Sequence, residues 1–516
     1  MEARDGRQPA LLFWLFVSIV IAFHLWFIGS ANFDLAPDEA HYWTWSKRLD
    51  WGYYSKGPMV AYLIALSTRL GGDTEFFVRL PAVLLSAGTA ILTFRLARGL
   101  SRSNQVGLNT ALLLGVMPMT SAGSILMTTD APLVFFWVLT LLATHRALEA
   151  GTKPQWALAG AALGLGLLSK YTMAAIVPQI AAYLARSERH RRALREPGPY
   201  LAIATGLLVL FPVVWWNWQH DWLSFRHLLG QIGPTNGSLS PLASLSQFVG
   251  SQVAFVTPFV FLLLVIGMWY VGRTGLGRGR DDAALFLLCT SAPLLLVCAV
   301  VSLWTKVQAN WPAPAYFTAA IATAIWYRQS SRRAAGAGRA RKARRLLAVA
   351  LVTGLLVTFV GHFPASPGWL GAPLPPRLDP TKRLRGWKDL GRRAGDVYLE
   401  MSKTRPTFIF SDSYQVASEL MFYVPGHPHA YSIALGRRMN QFDVWGGTTE
   451  VIGWDAIFVT AFSEEPPIEV TRSFNDIERH PVEGAGVHAG GRVADPWSIF
   501  RCYGFKGFPP LQTYGY

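Results

Sequence analysis

Residues 36–58 read Ala-Pro-Asp-Glu-Ala-His-Tyr-Trp-Thr-Trp-Ser-Lys-Arg-Leu-Asp-Trp-Gly-Tyr-Tyr-Ser-Lys-Gly-Pro, and they follow closely on the apolar run 11–29. A run of that length is close to the ~20 apolar residues that a membrane-spanning helix needs. It is longer than the apolar core of a secretory signal. It ends at Asn32-Phe33-Asp34, without a small-residue cleavage site, so it reads as a retained anchor. A loop leaving a membrane does not need adjacent carboxylates, a His, several Trp and Tyr rings and a Lys. Binding or chemistry at the membrane surface does.

The rest of the chain agrees with a polytopic membrane protein. Of 516 residues, 51% are hydrophobic and 15% charged, against about 25% charged in soluble domains. Apolar runs predict spans at 11–29, 78–98, 105–125, 131–148, 155–169, 171–186, 199–218, 245–272, 283–304, 310–328 and 346–363. The fifth and sixth are short and meet near Lys170, so one bent unit is the alternative.

The net charge of +16 gathers in alternate loops: Arg95 to Arg102, Arg146 and Lys153, Arg186 to Arg195, Arg273 to Arg280, and Arg328 to Arg345. The positive-inside rule places these in the cytoplasm. The loops with Asp38-Glu39, Thr129-Asp130, Lys170-Tyr171, Trp215–Phe225 and Lys306–Trp311 then all face outward. The basic charge belongs to the membrane topology and predicts no nucleic-acid partner. The Ala/Gly/Arg run 330–345 reads as an inside loop touching anionic lipid.

Composition changes after residue 363. Segment 364–380 is Pro-rich and reads as a linker. Runs at Thr407–Ser411 and Ala456–Thr460 predict strands, and Ser413–Tyr423 predicts a helix. The expected division is a membrane domain, 1–363, with a first outer loop at 30–77, and a small α/β domain, 364–516, on the outer face. Cys289 and Cys298 read as small core residues. Cys502 stands alone, and no metal-type Cys spacing occurs.

Several residues are candidates for chemistry, and each has a structural alternative. Asp38 and Glu39 after Pro37 suit a helix start, or one serves as a general base. Lys56 is either a snorkelling lysine or a phosphate ligand. Asp130 caps a helix or acts in a site. Lys170 lies between apolar stretches, where an ionisable group points to function. Arg226, Lys306 and His220 sit at other outer loop mouths. Trp215-Trp216-Asn217-Trp218 reads as an interface belt. No Gly-rich phosphate loop or nucleotide-binding domain lies on the inner side, so a sugar donor reaching an outer site would have to be lipid-linked.

The motifs Pro-Asp-Glu-Ala-His-Tyr-Trp (37–43), Gly-Tyr-Tyr-Ser-Lys-Gly-Pro (52–58) and Phe-Phe-Val-Arg-Leu-Pro (76–81) resemble the bacterial protein-mannosyltransferase-like glycosyltransferases, a group that includes the lipid A aminoarabinose transferase. Thr-Asp-Ala-Pro-Leu-Val-Phe-Phe (129–136), Leu-Ser-Lys-Tyr-Thr (168–172), Asn-Trp-Pro-Ala-Pro-Ala-Tyr (310–316) and Ala-Ser-Glu-Leu-Met-Phe-Tyr-Val-Pro-Gly (417–426) extend the resemblance. It implies a GT-C fold of about 11–13 membrane helices in the bacterial inner membrane, with the site facing the periplasm. It implies inverting transfer of a sugar from a polyprenyl-phosphate carrier to a lipid or glycan acceptor, lipid A or lipopolysaccharide first, protein hydroxyls next.

The resemblance gives Asp38 the role of base and Lys56 the carrier phosphate. Asp130 is the inner acid, and Asn310 stands where the family has a phosphate-side Tyr. The expected site is therefore Asp38, Glu39 and Asp130 for catalysis. Lys56, Arg226, Lys306 and Lys170 are expected at the carrier phosphate, and His41, Tyr42, Tyr53, Tyr54 and Asn310 at the substrates. The family's divalent metal ion would fall near His220, but Ser55 replaces a family Glu and removes one ligand. The protein is expected to work as a monomer. A transporter for the lipid-linked sugar is the rival from another class. It would show paired repeats and midplane charges, and the sequence shows neither.

Overall fold

A computed structural model describes residues 2–30, 32–232, 240–332, 337–375, 379, 381–436, 438–461, 463–481, 487–488, 491–492 and 497–508. Parts of the expected inner basic run (333–336) and of the Pro-rich linker (376–378, 380) lie outside the described residues. The membrane region is helical: α1 (Glu2–Gly29), α2 (Pro37–Lys47), α3 (Met59–Gly71), α4 (Glu75–Ser101), α5 (Asn104–Gly115), α6 (Pro118–Gly123), α7 (Asp130–Ala150), α8 (Lys153–Ser169), α9 (Ile176–Arg186), α10 (Pro197–Gln219), α11 (Leu223–Ile232), α12 (Pro241–Val256), α13 (Pro258–Gly275), α14 (Asp282–Val301), α15 (Ala313–Arg332) and α16 (Ala337–His362). Among the described residues, seven helices are long and apolar enough to cross a membrane: α1, α4, α7, α10, α13, α14 and α16.

Proline decides where the expected spans break. The run 105–125 divides into α5 and α6 at Pro118, and 245–272 into α12 and α13 at Pro258. A residue before proline is pushed out of the helical region, and Thr257 takes φ +73. Proline then starts the next helix, where its missing N–H costs nothing. The doublet 155–186 breaks at Lys170, which is extended at φ −157, ψ 131 between α8 and a 3-10 turn, Tyr171–Ala175. Small residues let α8 and α10 pack closely. A Cβ on Gly160 would come within 2.2 Å of the Ala202 carbonyl oxygen.

The two ends of the bundle differ in chemistry. At one end Arg189 pairs with Glu149 at 2.9 Å, Arg280 with Glu188 at 2.8 Å, and His190 with Asp282 at 3.0 Å. These are the loops the charge pattern groups together. The other end carries α2, α3, Asp130, Lys170, Asn310 and the C-terminal α/β segment.

That segment holds α17 (Trp387–Ser402), β1 (Thr407–Ser411), α18 (Tyr414–Tyr423), β2 (Ala430–Ser432), β3 (Asp455–Ala461), β4 (Asp476–Arg479), a short β5–β6 pair (Val487–His488, Gly491–Arg492) and β7 (Trp497–Tyr503). The main sheet runs β2-β1-β3-β7-β4, parallel through β2-β1-β3 and antiparallel beyond. Strand alternation sends Ile409, Ile457, Val459 and Ile499 into one core and Phe408, Phe410, Phe458 and Phe500 into another. The first core continues through α17 and α18 into Tyr42, Trp43 and Trp45 of α2. The Trp43 ring meets Phe422 edge-on at 5.0 Å, and the Leu35 amide donates to the Tyr423 hydroxyl at 2.7 Å. The C-terminal segment therefore shares a core with the loop that follows α1.

Glu419 of α18 is 1% exposed inside this junction. Neither of its carboxyl oxygens has a hydrogen-bond partner among the described residues. Burial first, then the charges of Glu39 and Asp34, raises its pKa well above the usual carboxylate range. The folded protein thus holds a proton that the unfolded chain releases above about pH 4.3. Stability present below that pH is lost as pH rises towards the folded pKa. Glu419→Gln, which is neutral at every pH, should leave acid stability unchanged and raise the melting temperature at neutral pH. A lower melting temperature at neutral pH would contradict this account.

Candidate active site

The first-loop acids have different fates, set by what packs against α2. Glu39 is fully buried and forms the N-terminal cap of α2 by accepting from the Ala36 amide at 2.9 Å. Its carboxylate takes the Arg79 guanidinium at 2.8 Å and the Met127 amide at 2.9 Å. Arg79 also donates to the Phe33 and Asp34 carbonyls at 3.0 and 2.6 Å. Every strong acceptor position of Glu39 is in use, and its job here is to lock α2 to α4.

Asp38, one residue earlier on α2, points away from that ion pair and stays exposed. Protein nonetheless crowds it on most sides. Burial raises its carboxyl pKa above the usual value, against the pull of Arg383, Lys56 and a hydrogen bond from Gln415. It is a carboxylate open to a reactant and held in a recess.

Asp130 starts α7 across that recess. It accepts from Lys170 Nζ at 2.8 Å and from Asn310 Nδ2 at 2.6 Å. The extended backbone at Lys170 turns this side chain out of the α8 axis and onto Asp130. Lys56 is drawn to the same place because its loop lies on the end of α8. A Cβ at Gly57 would come within 2.0 Å of the Leu168 carbonyl oxygen, so only glycine allows the approach. Lys56 feels Lys170, Asp130 and Asp38. Burial first, then Lys170, pulls its pKa down to about 8.

The other expected residues divide. Tyr42 is near Asp38 and Asp130 and hydrogen-bonds Thr129. The Tyr54 ring lies 4.7 Å from His227, and its amide donates to Gln441 Oε1 at 2.7 Å. His41 is buried instead of facing the recess. It accepts the Trp45 indole N–H at 3.2 Å, contacts Ser418 at 3.1 Å, and burial lowers its pKa to about 3. Tyr53 stacks on Trp45 at 4.3 Å with its hydroxyl on the Trp45 carbonyl. Both read as frame, not as sugar platform. Arg226 and Lys306 are exposed, on α11 and on the loop after α14.

His220 stacks on Trp216 at 4.0 Å with Nδ1 on the Trp216 carbonyl at 2.8 Å. Among the described residues no three His, Cys, Asp or Glu side chains gather as a metal site. His220 therefore stands without a gathered set of further ligands among the described residues. The Trp215–Trp218 belt also divides. Trp215 and Trp218 are exposed, while Trp216 is buried and donates to Asp50 Oδ2 at 2.8 Å.

Four site neighbours carry no local signal. His227 sits beside Lys56 and Tyr54, with its pKa lowered to about 4 by burial, then Lys56 and Arg438. Arg383, Gln415 and Gln441 come from the C-terminal segment. Arg79 lies within the motif 76–81, which gives no sign of its role.

The family model described as dolichyl-phosphate-mannose-protein mannosyltransferase matches residues 55–216. Lipid A galacturonosyltransferase RgtD of Rhizobium johnstonii is 31% identical over 312 residues, covering 60% of this chain and 64% of the relative. The undecaprenyl phosphate-alpha-4-amino-4-deoxy-L-arabinose arabinosyl transferase of Pseudomonas aeruginosa is 32% identical over 215 residues, covering 38% and 39%. The chain thus matches less than two thirds of either relative's length. The structure of ArnT from Cupriavidus metallidurans in the apo state superposes with a TM-score of 0.64 at 14% identity, covering 95% of this chain and 98% of that one. The same protein bound to undecaprenyl phosphate gives 0.62, with 95% and 97% covered. At this identity the likeness shows the fold, the multi-pass GT-C architecture that the motifs implied.

Proposed function

We propose that this chain, kin in sequence and fold to the protein-mannosyltransferase-like membrane glycosyltransferases, transfers a sugar from a polyprenyl-phosphate carrier to lipid A or lipopolysaccharide at the periplasmic face of the inner membrane. One observation carries the reading. Of the three acids near the recess, Glu39 is consumed by Arg79 and Asp130 by Lys170 and Asn310, while Asp38 remains open beside Lys56.

Asp38 takes the proton of the acceptor hydroxyl as its oxygen attacks the anomeric carbon. The sugar–phosphate bond breaks on the opposite side, so the anomeric centre inverts. Charge then grows on the carrier phosphate, and fixed cations lower the barrier there. Lys56, beside Asp38, is the candidate for that role, and Lys170 adds field while holding Asp130. A raised carboxyl pKa makes Asp38 a stronger base at neutral pH. The activities of the two relatives support the donor and acceptor classes.

The test is transfer of a labelled undecaprenyl-phosphate sugar to lipid A in membranes containing the protein. Mass spectrometry of lipid A from a deletion strain identifies the sugar. Unaltered lipid A together with altered glycoproteins would move the acceptor to protein.

Lys56 gives a pH signature. Its ammonium is charged below about pH 8 and is lost above it. The ratio kcat/KM for the carrier should therefore fall as pH rises through about 8. Lys56→Arg stays charged and should abolish that alkaline limb. A limb that persists in Lys56→Arg removes Lys56 from the phosphate site.

A further inference from the structure

We propose that Arg383 and Gln415, both from the C-terminal segment, form a positioning pair for Asp38, so that this segment supplies part of the active site. The inference rests on the assignment of Asp38 as base and adds residues to it.

The argument starts from how the pair is held. Arg383 lies in the 3-10 turn Lys382–Leu384. The Asp34 amide donates to the Leu384 carbonyl at 2.9 Å, and the Trp387 amide donates to Asp34 Oδ2 at 2.8 Å. The Trp387 indole donates to the carbonyl of Arg383 itself at 2.9 Å. The Arg385 guanidinium sits 5.3 Å from the Phe33 ring centroid. The turn is therefore fastened to the first loop through the residues that follow Arg383, beside the start of α2. Gln415 opens α18, which is fixed to α2 through Ser418 and His41 at 3.1 Å.

Asp38 needs such partners. The charged and titratable groups that face it are Arg383, Lys56, Glu39 and Tyr42, with Gln415 as a neutral donor. Glu39 is like-charged, and Lys56 is committed to the carrier phosphate once donor binds. Arg383 is then the cation left to keep Asp38 ionised, and Gln415 fixes which oxygen faces the acceptor. Both act through Asp38 and neither needs to touch the sugar.

The test is the pH profile of transfer. Losing Arg383 favours the protonated carboxyl, so the acid limb of kcat/KM in Arg383→Ala should move up by about one pH unit. The carrier KM on the plateau should not change, and Arg383→Lys should move the limb back. An acid limb that stays in place in Arg383→Ala overturns the proposal. Should that variant unfold early, Gln415→Ala removes only a donor. An upward shift is expected there too, and no shift overturns the proposal. Full activity of Asp38→Asn would remove the base assignment itself. An inactive Asp38→Asn with an unmoved limb in Arg383→Ala would leave that assignment standing and remove only this one.

Discussion

Asp38→Asn is expected to lower kcat by roughly 10²–10⁴-fold with little change in carrier KM. The amide keeps the size and planar shape of the carboxylate but cannot take a proton. Asp38 is exposed at the start of α2 and carries no fold-holding ion pair among the described residues, so folding should be spared. The contrast is Asp130→Asn. Asp130 holds Lys170 at 2.8 Å and Asn310 at 2.6 Å, so its loss should disturb binding of the carrier as well as rate. Single-turnover transfer from a labelled carrier separates the two effects. If Asp38→Asn turns over at the wild-type rate, the base lies elsewhere.

Arg79→Ala should be the most damaging change to the fold. It leaves Glu39, which is fully buried, as a charge without its guanidinium partner. Breaking a buried pair from one side costs about 3–5 kcal/mol, and two further acceptors, the Phe33 and Asp34 carbonyls, lose their Arg79 donor here. The loss should appear as early melting of purified protein and poor recovery in mild detergent. Pairing Arg79→Met with Glu39→Gln removes both charges and should recover part of the stability, a coupling that a double-mutant cycle measures. Arg79→Ala that melts like wild type would show that Glu39 finds another partner or a proton. Activity should fall in step with stability, because the same pair sets the orientation of α2 and so of Asp38.

The long apolar runs and the alternation of basic and aromatic loops made the polytopic architecture legible, because span length and loop charge are one-dimensional properties. The strands at Thr407–Ser411 and Asp455–Ala461 were legible for the same reason, as short apolar runs. β7 was not, since Trp497–Tyr503 mixes Ser, Arg and Cys with apolar residues and owes its strand to pairing with β3 and β4. Helix α17 hid in a charged stretch whose apolar stripe only the sheet explains.

The sequence by itself determined a multi-pass membrane protein with its unusual acids, bases and rings in the loop after the first span. It also determined that Asp38, Asp130, Lys56 and Lys170 belong among the candidates. The tertiary structure alone decided their division of labour. Glu39 is claimed by Arg79, Asp130 by Lys170 and Asn310, and Asp38 is met by Arg383 and Gln415 from the far end of the chain. A carboxylate's chemistry depends on which charges and donors stand within a few ångströms, and sequence spacing does not encode that proximity once helices and a sheet fold across one another.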